Sequence, residues 1–231
     1  MQGFNWAGFF EYLGNLYLFE GALTTIWLTA VSITVGLVLG FILALMRLSR
    51  PALLRVPALF YIWLFRGTPL LVQLIVIYTG LPQFGIRLSV VESALLGLSL
   101  NEAAYLAEVV RAGIEAVPSG QVKAAQALGL RDRQVMRYVV MPQALRIIVP
   151  PLGNSVNGLL KTTSITSVIS MEELLRRTQI LIQERFMVLE LFAVAALYYL
   201  LMTTAWDFVQ RRIERHYGRP YNAAAAALEQ R

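Results

Sequence analysis

The sequence predicts an all-α integral membrane protein with five transmembrane helices and a helical loop in the cytoplasm, and three observations carry that reading. Of 231 residues, 57% are apolar and only 15% charged, with a mean hydropathy of +0.60; a soluble domain of this size carries more charge. Five stretches reach the roughly 20 mostly apolar residues that a helix needs to cross the hydrocarbon layer. Lys and Arg, finally, collect on alternate connections between those stretches.

In chain order, residues 1–21 have no basic start and carry Glu11 and Glu20, so they are not expected to be a cleaved signal. Phe4, Trp6, Phe9, Phe10, Tyr12 and Tyr17 make them an aromatic extracytoplasmic segment at the membrane interface, with a partly disordered terminus as the other reading. A transmembrane domain is expected over 22–210, with spans at 22–46, 56–80, 88–112, 144–167 and 186–209. The first is free of charge and the second contains Arg66. The third contains Glu92, Asn101, Glu102 and Glu108, so its middle cannot face lipid. The fourth is interrupted early by Pro150 and Pro151, expected to kink it, and carries Asn154, Asn157 and Lys161. Residues 171–184, MEELLRRTQILIQE, set Leu174, Leu175, Thr178 and Leu181 along one side of an interfacial or re-entrant helix. A basic tail, 211–231, ends in NAAAAALEQR, which reads as a frayed, low-complexity end.

Orientation follows from the basic residues. Arg47, Arg50 and Arg55 follow the first span; Arg111, Lys123, Arg131, Arg133, Arg137 and Arg146 surround the loop after the third; Arg211, Arg212, Arg215, Arg219 and Arg231 follow the fifth. The other two connections hold only Arg87 and the group Arg176, Arg177 and Arg185. The positive-inside rule then puts the amino terminus outside and the loop and tail in the cytoplasm.

That loop, 113–142, is too charged for hydrocarbon and is expected to form two short helices in water. Ser119 is expected to cap the first, whose apolar side is Val122, Ala125, Ala127 and Leu128, and Gly129 offers a left-handed end. Asp132 is expected to cap the second, which carries Val135, Met136, Val139 and Val140 and stops near Pro142. A small, Ala-rich surface presented to a partner is one reading of this loop; an amphipathic segment resting on lipid headgroups is the other.

Within the spans, Asn101, Tyr105, Glu108 and Ala112 follow helical spacing and share one face, with Glu102 offset by about 100°. Asn154, Asn157, Gly158 and Lys161 form a second polar stripe, and Arg66, Pro69 and Gln73 a third. A charge inside the bilayer costs about 2.5–3.5 kcal/mol on insertion scales, so these groups turn toward partners or water. Read functionally, the stripes enclose a polar cavity in which Asn101, Glu102, Tyr105, Glu108, Asn157, Lys161, Arg66 and Gln73 hold a zwitterion. Read structurally, they are interhelical ion pairs, Arg66 or Lys161 with Glu108. Thr162, Thr163, Ser164, Thr166 and Ser167 are expected to bond back to their own helix.

Other chemistries are poorly supplied. No cysteine is present, and the lone histidine, His216, lies in the basic tail, which leaves no metal cluster and no nucleophile with a base. The sequence has no GxxxxGK[ST] phosphate loop. No catalytic residue, metal or cofactor is therefore assigned to this chain. The net charge of +6 is explained by topology, and no nucleic acid is expected as a partner.

Lys123-Ala124-Ala125, three residues, Gly129, nine residues, then Val139, Val140, Met141 and Pro142: this spacing resembles the EAA coupling loop of ABC importer permeases. FRGTPLLVQL (65–74), LNEAAYLAEVVRAGIEAVPSGQ (100–121), MPQALRIIVPPLGN (141–154) and LLKTTSITSVI (159–169) look like the branch that serves polar amino acids such as histidine, glutamine and arginine. The resemblance covers residues 21–210 and departs at Lys123, where that family usually has Glu. It implies a type I ABC importer permease fold with a coupling helix, in which Ser119, Gly120, Lys123, Ala124, Ala125, Ala127, Leu128, Gly129 and Pro142 form the contact with a separate ATPase.

The implied partners are an ABC ATPase dimer holding ATP and Mg, a second permease copy or a paralogue, an extracytoplasmic amino-acid-binding protein, a small polar amino acid and the lipid of a bacterial inner membrane. The resemblance also places the substrate near mid-membrane, between the third and fourth spans. Glu102 points to a cationic amino acid. A stand-alone secondary transporter or channel, with Glu102 or Glu108 carrying protons, is the alternative, and a non-transporting scaffold a third.

Overall fold

The computed structural model describes residues 4–229, with side chains through Tyr217; the low-complexity end expected to fray, 222–231, lies outside the described side chains. Helix α1 (Trp6–Leu13) is the aromatic segment, started by Asn5, whose side chain accepts from Gly8 N at 3.0 Å. Phe4, Trp6, Phe9 and Phe10 cluster with ring centroids 4.7–6.3 Å apart. Asn15 then caps α2 (Leu16–Leu48), which at 33 residues is about 50 Å long. Much of its buried side is small: Gly36 and Gly40 let α5 lie directly against it, while Gly21 and Thr25 face the start of α9.

The expected second span is not one straight helix. Helix α3 (Ala52–Gly67) ends at an extended Thr68, and α4 (Leu70–Ile75) leaves at 104° to it, continued by a π turn (Val76–Gly80) and a 3-10 turn (Leu81–Phe84). The cause is local: Pro69 has no N–H to continue α3, and a residue before proline is pushed out of the helical region. Helix α5 (Val90–Glu115) opens with a reciprocal cap in which Glu92 N donates to Ser89 Oγ at 3.2 Å and Ser89 N to the Glu92 carboxylate at 2.7 Å.

In the loop, α6 (Ser119–Ala127) starts on Ser119, so Ser119 is a first-turn residue and Pro118 takes the cap position without a side-chain bond. Gly129 sits at φ +83, the left-handed end expected of it. Helix α7 (Asp132–Val135) likewise includes Asp132; Arg131 is the cap, its N–H held by Gln134 Oε1 at 2.9 Å. The second helix does not stop at Pro142. A π turn (Met136–Val140) carries it straight into α8 (Met141–Thr162), and the helix widened just before Pro142 accommodates its missing N–H. Pro150 and Pro151 lie inside α8.

A 3-10 turn (Thr163–Ile169) follows, with Thr162, Thr163, Ser164 and Thr166 bonded back to carbonyls three or four residues earlier at 2.6–3.1 Å. Helix α9 (Leu174–Arg185) buries Leu174, Thr178 and Leu181, the side read from the sequence, and α10 (Val188–Glu229) ends the chain. Among the described residues, α2 and Val188–Tyr217 are each long and apolar enough to cross a membrane, and the bent α3–α4 pair has that length and apolarity as one broken span or as a re-entrant loop. Helices α5 and α8, at 26 and 22 residues, have the length, but Glu102, Glu108, Arg111, Asn154 and Asn157 lower their apolarity.

Three apolar clusters hold the bundle. One packs α2, α5 and α8 against Ala125, Val135 and Val140 of the loop; one joins α2, α4, α5 and α8; one joins α1, α2, α9 and α10.

Candidate functional site

The break between α3 and α4 is the polar centre of the bundle. Ending a helix there orphans its last carbonyls. Buried Gln73 supplies the missing donor: its Nε2 reaches Phe65 O at 2.9 Å, Thr68 O at 3.1 Å and Thr68 Oγ1 at 2.8 Å. Its own Oε1 accepts from Asn101 Nδ2 at 3.0 Å, and Asn101 also reaches Phe65 O at 3.4 Å. The two amides thus tie the broken α3–α4 segment to the middle of α5, helped by Tyr61 donating to Leu100 O at 2.8 Å.

Two turns further along α5, three guanidinium groups from three helices converge on Glu108. Arg47, at the end of α2, pairs with one carboxylate oxygen. Arg111, which also pairs with Glu115, is 3.0 Å from the other, and Arg66, at the end of α3, is 3.7 Å away. Arg66 is the loosest of these, 44% exposed, with its guanidinium 5.4 Å from the centre of the Tyr105 ring, itself 44% exposed. A half-exposed guanidinium beside an aromatic ring can take a carboxylate on two N–H groups.

The other residues read from the sequence go elsewhere. Glu102 lies off this face, as its angular offset requires, against Gly36 of α2 and beside Ser155 of α8. Asn157 donates to Asp207 of α10 at 2.6 Å, within a seam where Trp206 Nε1 meets Gly153 O at 2.8 Å and Gln210 meets Asn154 at 3.2 Å. Lys161 does not meet Glu108. It is exposed and lines a separate cavity of about 460 Å³ with Ser164, Leu175, Tyr199 and Thr203. The three stripes therefore do not close around one cavity: α3, α4 and α5 share a site, and α8 spends Asn154 and Asn157 on α10.

Sequence reasoning missed that partner set, Trp206, Asp207 and Gln210, and it missed Glu173. Glu173 is fully buried and caps α9, accepting from Leu175 N at 3.0 Å, Arg176 N at 2.8 Å and Tyr199 OH at 3.0 Å, with Thr25 Oγ1 at 3.5 Å. Arg177 adds a second clamp on α2, bonding Glu20 at 2.8 Å and Tyr17 O at 2.9 Å. Helix α9 is thereby fixed to α2 and α10. The one available signal was the capping position of Glu173 ahead of an apolar run, but neighbouring Glu172 offered the same chemistry.

At the opposite end, α6 turns Ala125 and Val122 inward and leaves Ser119, Gly120, Lys123, Ala124, Ala127, Leu128 and Gly129 exposed, Leu128 by 81%. Pro142 is exposed at the start of α8. Helix α7, the π turn and α8 are continuous, and α6 joins them through the turn at Gly129.

Residues 36–219 match the family model described as a binding-protein-dependent transport system inner membrane component. The chain belongs to this family. It is 38% identical over 231 residues to the arginine transport system permease protein ArgU of Corynebacterium glutamicum, covering 94% of this chain and 73% of the relative. To the octopine transport system permease protein OccM of Rhizobium meliloti it is 42% identical over 219 residues, covering 91% and 85%. A solved structure, described as the crystal structure of an amino acid ABC transporter with histidines, superposes with a TM-score of 0.87 at 36% identity over 93% of this chain and all of that one. The type I ABC importer permease fold implied by the resemblance is the fold observed. In this transport permease, the exposed α6 surface lies at the loop and the polar break where α3 meets α4.

Proposed function

We propose that this permease forms the membrane path of an ATP-driven importer for polar amino acids and receives its energy through α6. A separate ABC ATPase dimer binds ATP and Mg; a second permease copy or a paralogue completes the path. An extracytoplasmic binding protein delivers substrate at the end away from α6, with the amino terminus outside and α6 in the cytoplasm of a bacterial cell. The observation that carries this reading is α6 itself: a helix whose outward face is small and exposed, followed after the Gly129 turn by α7, which runs without a break into α8.

The path runs past the α3–α4 break. There Arg66, with Tyr105 beside it, offers a cation to the carboxylate of an amino acid, while Gln73 and Asn101 hold the break open. Glu102 biases the path toward a cationic side chain. Uptake of arginine and of a neutral amino acid by Glu102→Gln in the assembled complex measures that bias, and equal loss of both removes it.

The decisive experiment places a cysteine at Ala124 in native membranes. Crosslinking to an ATP-hydrolysing subunit is expected. Absence of any such crosslink, together with uptake by the purified chain alone in vesicles, would establish the stand-alone transporter instead.

A further inference from the structure

Docking of α6, as proposed above, has a consequence for one residue, and the inference drawn here rests on that docking. At 100° per residue, Gly120, Lys123, Ala124 and Ala127 project on the side of α6 opposite Val122 and Ala125, which pack into the bundle. Three of these four carry one side-chain carbon or none, so a groove wall can descend almost to the backbone. Lys123 is the only charge on that face. Among the described residues no carboxylate lies within ion-pair distance of it. Asp132, the only acid of 116–142, is held by Gln126 at 3.2 Å. Arg131, Arg133 and Arg137 are exposed nearby and carry the same sign.

A helix seated by this face takes Lys123 out of water, and an ammonium group withdrawn from water needs a counter-charge. With small residues on either side, the lysine stem has no bulky neighbour along which to bring its charge back to solvent. We propose that the groove of the ATP-hydrolysing subunit that receives α6 carries an Asp or Glu facing Lys123, and that this pair selects the cognate subunit. The face points away from the apolar cluster of the bundle, which favours a protein partner over the lipid surface.

The test uses the complex of permease and ATP-hydrolysing subunit purified from native membranes in a neutral detergent. Lys123→Glu is expected to weaken subunit association by about tenfold or more. The loss should grow as salt is lowered, because repulsion is then less screened. Lys123→Arg should retain association, and reversing one acidic groove residue to Lys should restore binding to Lys123→Glu. If Ala124→Cys crosslinks while Lys123→Glu binds as well as wild type, docking stands and the charge pair is refuted. Equal, salt-independent losses in Lys123→Ala and Lys123→Glu refute it too, since packing then accounts for them. A defect that appears only in vesicles of anionic lipid and not in neutral detergent overturns it in favour of the lipid surface. Failure of the Ala124→Cys crosslink removes the docking itself.

Discussion

Gly40 of α2 lies so close to Ala103 of α5 that a β-carbon on it would come within 2.9 Å of the Ala103 carbonyl oxygen and 3.0 Å of Ala107 N. Both obstacles are backbone, so no side chain can swing aside. Gly36 and Ala44, one turn away on either side, continue the same buried seam. Gly40→Ala should therefore push α2 off α5 and cost about 1–3 kcal/mol, seen as a lowered melting temperature of the purified complex. Gly14→Ala, where nothing lies within 4 Å, should change little.

Gln73→Ala should orphan the Phe65 and Thr68 carbonyls at the α3–α4 break at a cost of about 1–3 kcal/mol. Because Gln73 also positions Asn101, uptake should fall further than stability accounts for. Comparing initial uptake rates of Gln73→Ala and Gly40→Ala at matched amounts of folded complex separates the two effects, and equal rates would remove any special role for the break.

Glu108→Gln leaves Arg47, Arg66 and Arg111 facing one another without their shared counter-charge. Breaking a fully buried pair costs about 3–5 kcal/mol; with Arg66 44% exposed the loss here should fall below about 3 kcal/mol. Thermal melts at low and high salt check this, since partial exposure predicts that the difference from wild type narrows as salt rises.

Gly129→Val forces a β-branched residue into the left-handed conformation at φ +83, costing about 1–3 kcal/mol locally. The strain falls at the exit of α6, outside the helix bundle. Membrane insertion should persist while ATP hydrolysis proceeds without uptake. Hydrolysis and uptake that stay in the wild-type ratio would contradict the role given to α6.

Glu173→Ala removes the acceptor for the Leu175 and Arg176 N–H groups and the link to Tyr199, and should loosen α9. Faster proteolysis or amide exchange within 174–185 is the expected readout, with α6 unaffected.

Much of the fold was legible because its causes are local. Apolar length marked α2 and α10, Gly129 marked the end of α6, and the helical spacing of Leu174, Thr178 and Leu181 marked α9. The face shared by Asn101, Tyr105 and Glu108 was equally plain. The α3–α4 break also had its signal in Gly67-Thr68-Pro69, but an apolar run on both sides made one straight span the simpler reading.

The sequence alone determined that this chain enters a membrane, which faces of its helices are polar, and that its charged loop stays out of hydrocarbon, because burial cost and helical period depend only on residue type and order. Tertiary structure decided the partners: Asn157 with Asp207, Glu173 with Tyr199, Arg47 and Arg66 on one carboxylate, Lys161 apart from them all. Those pairings join positions 26 to 61 residues apart, and which polar group meets which depends on how the helices cross. The turn at Met136–Val140 was likewise beyond local reading, since a proline that ends most helices was absorbed there by widening the helix just before it.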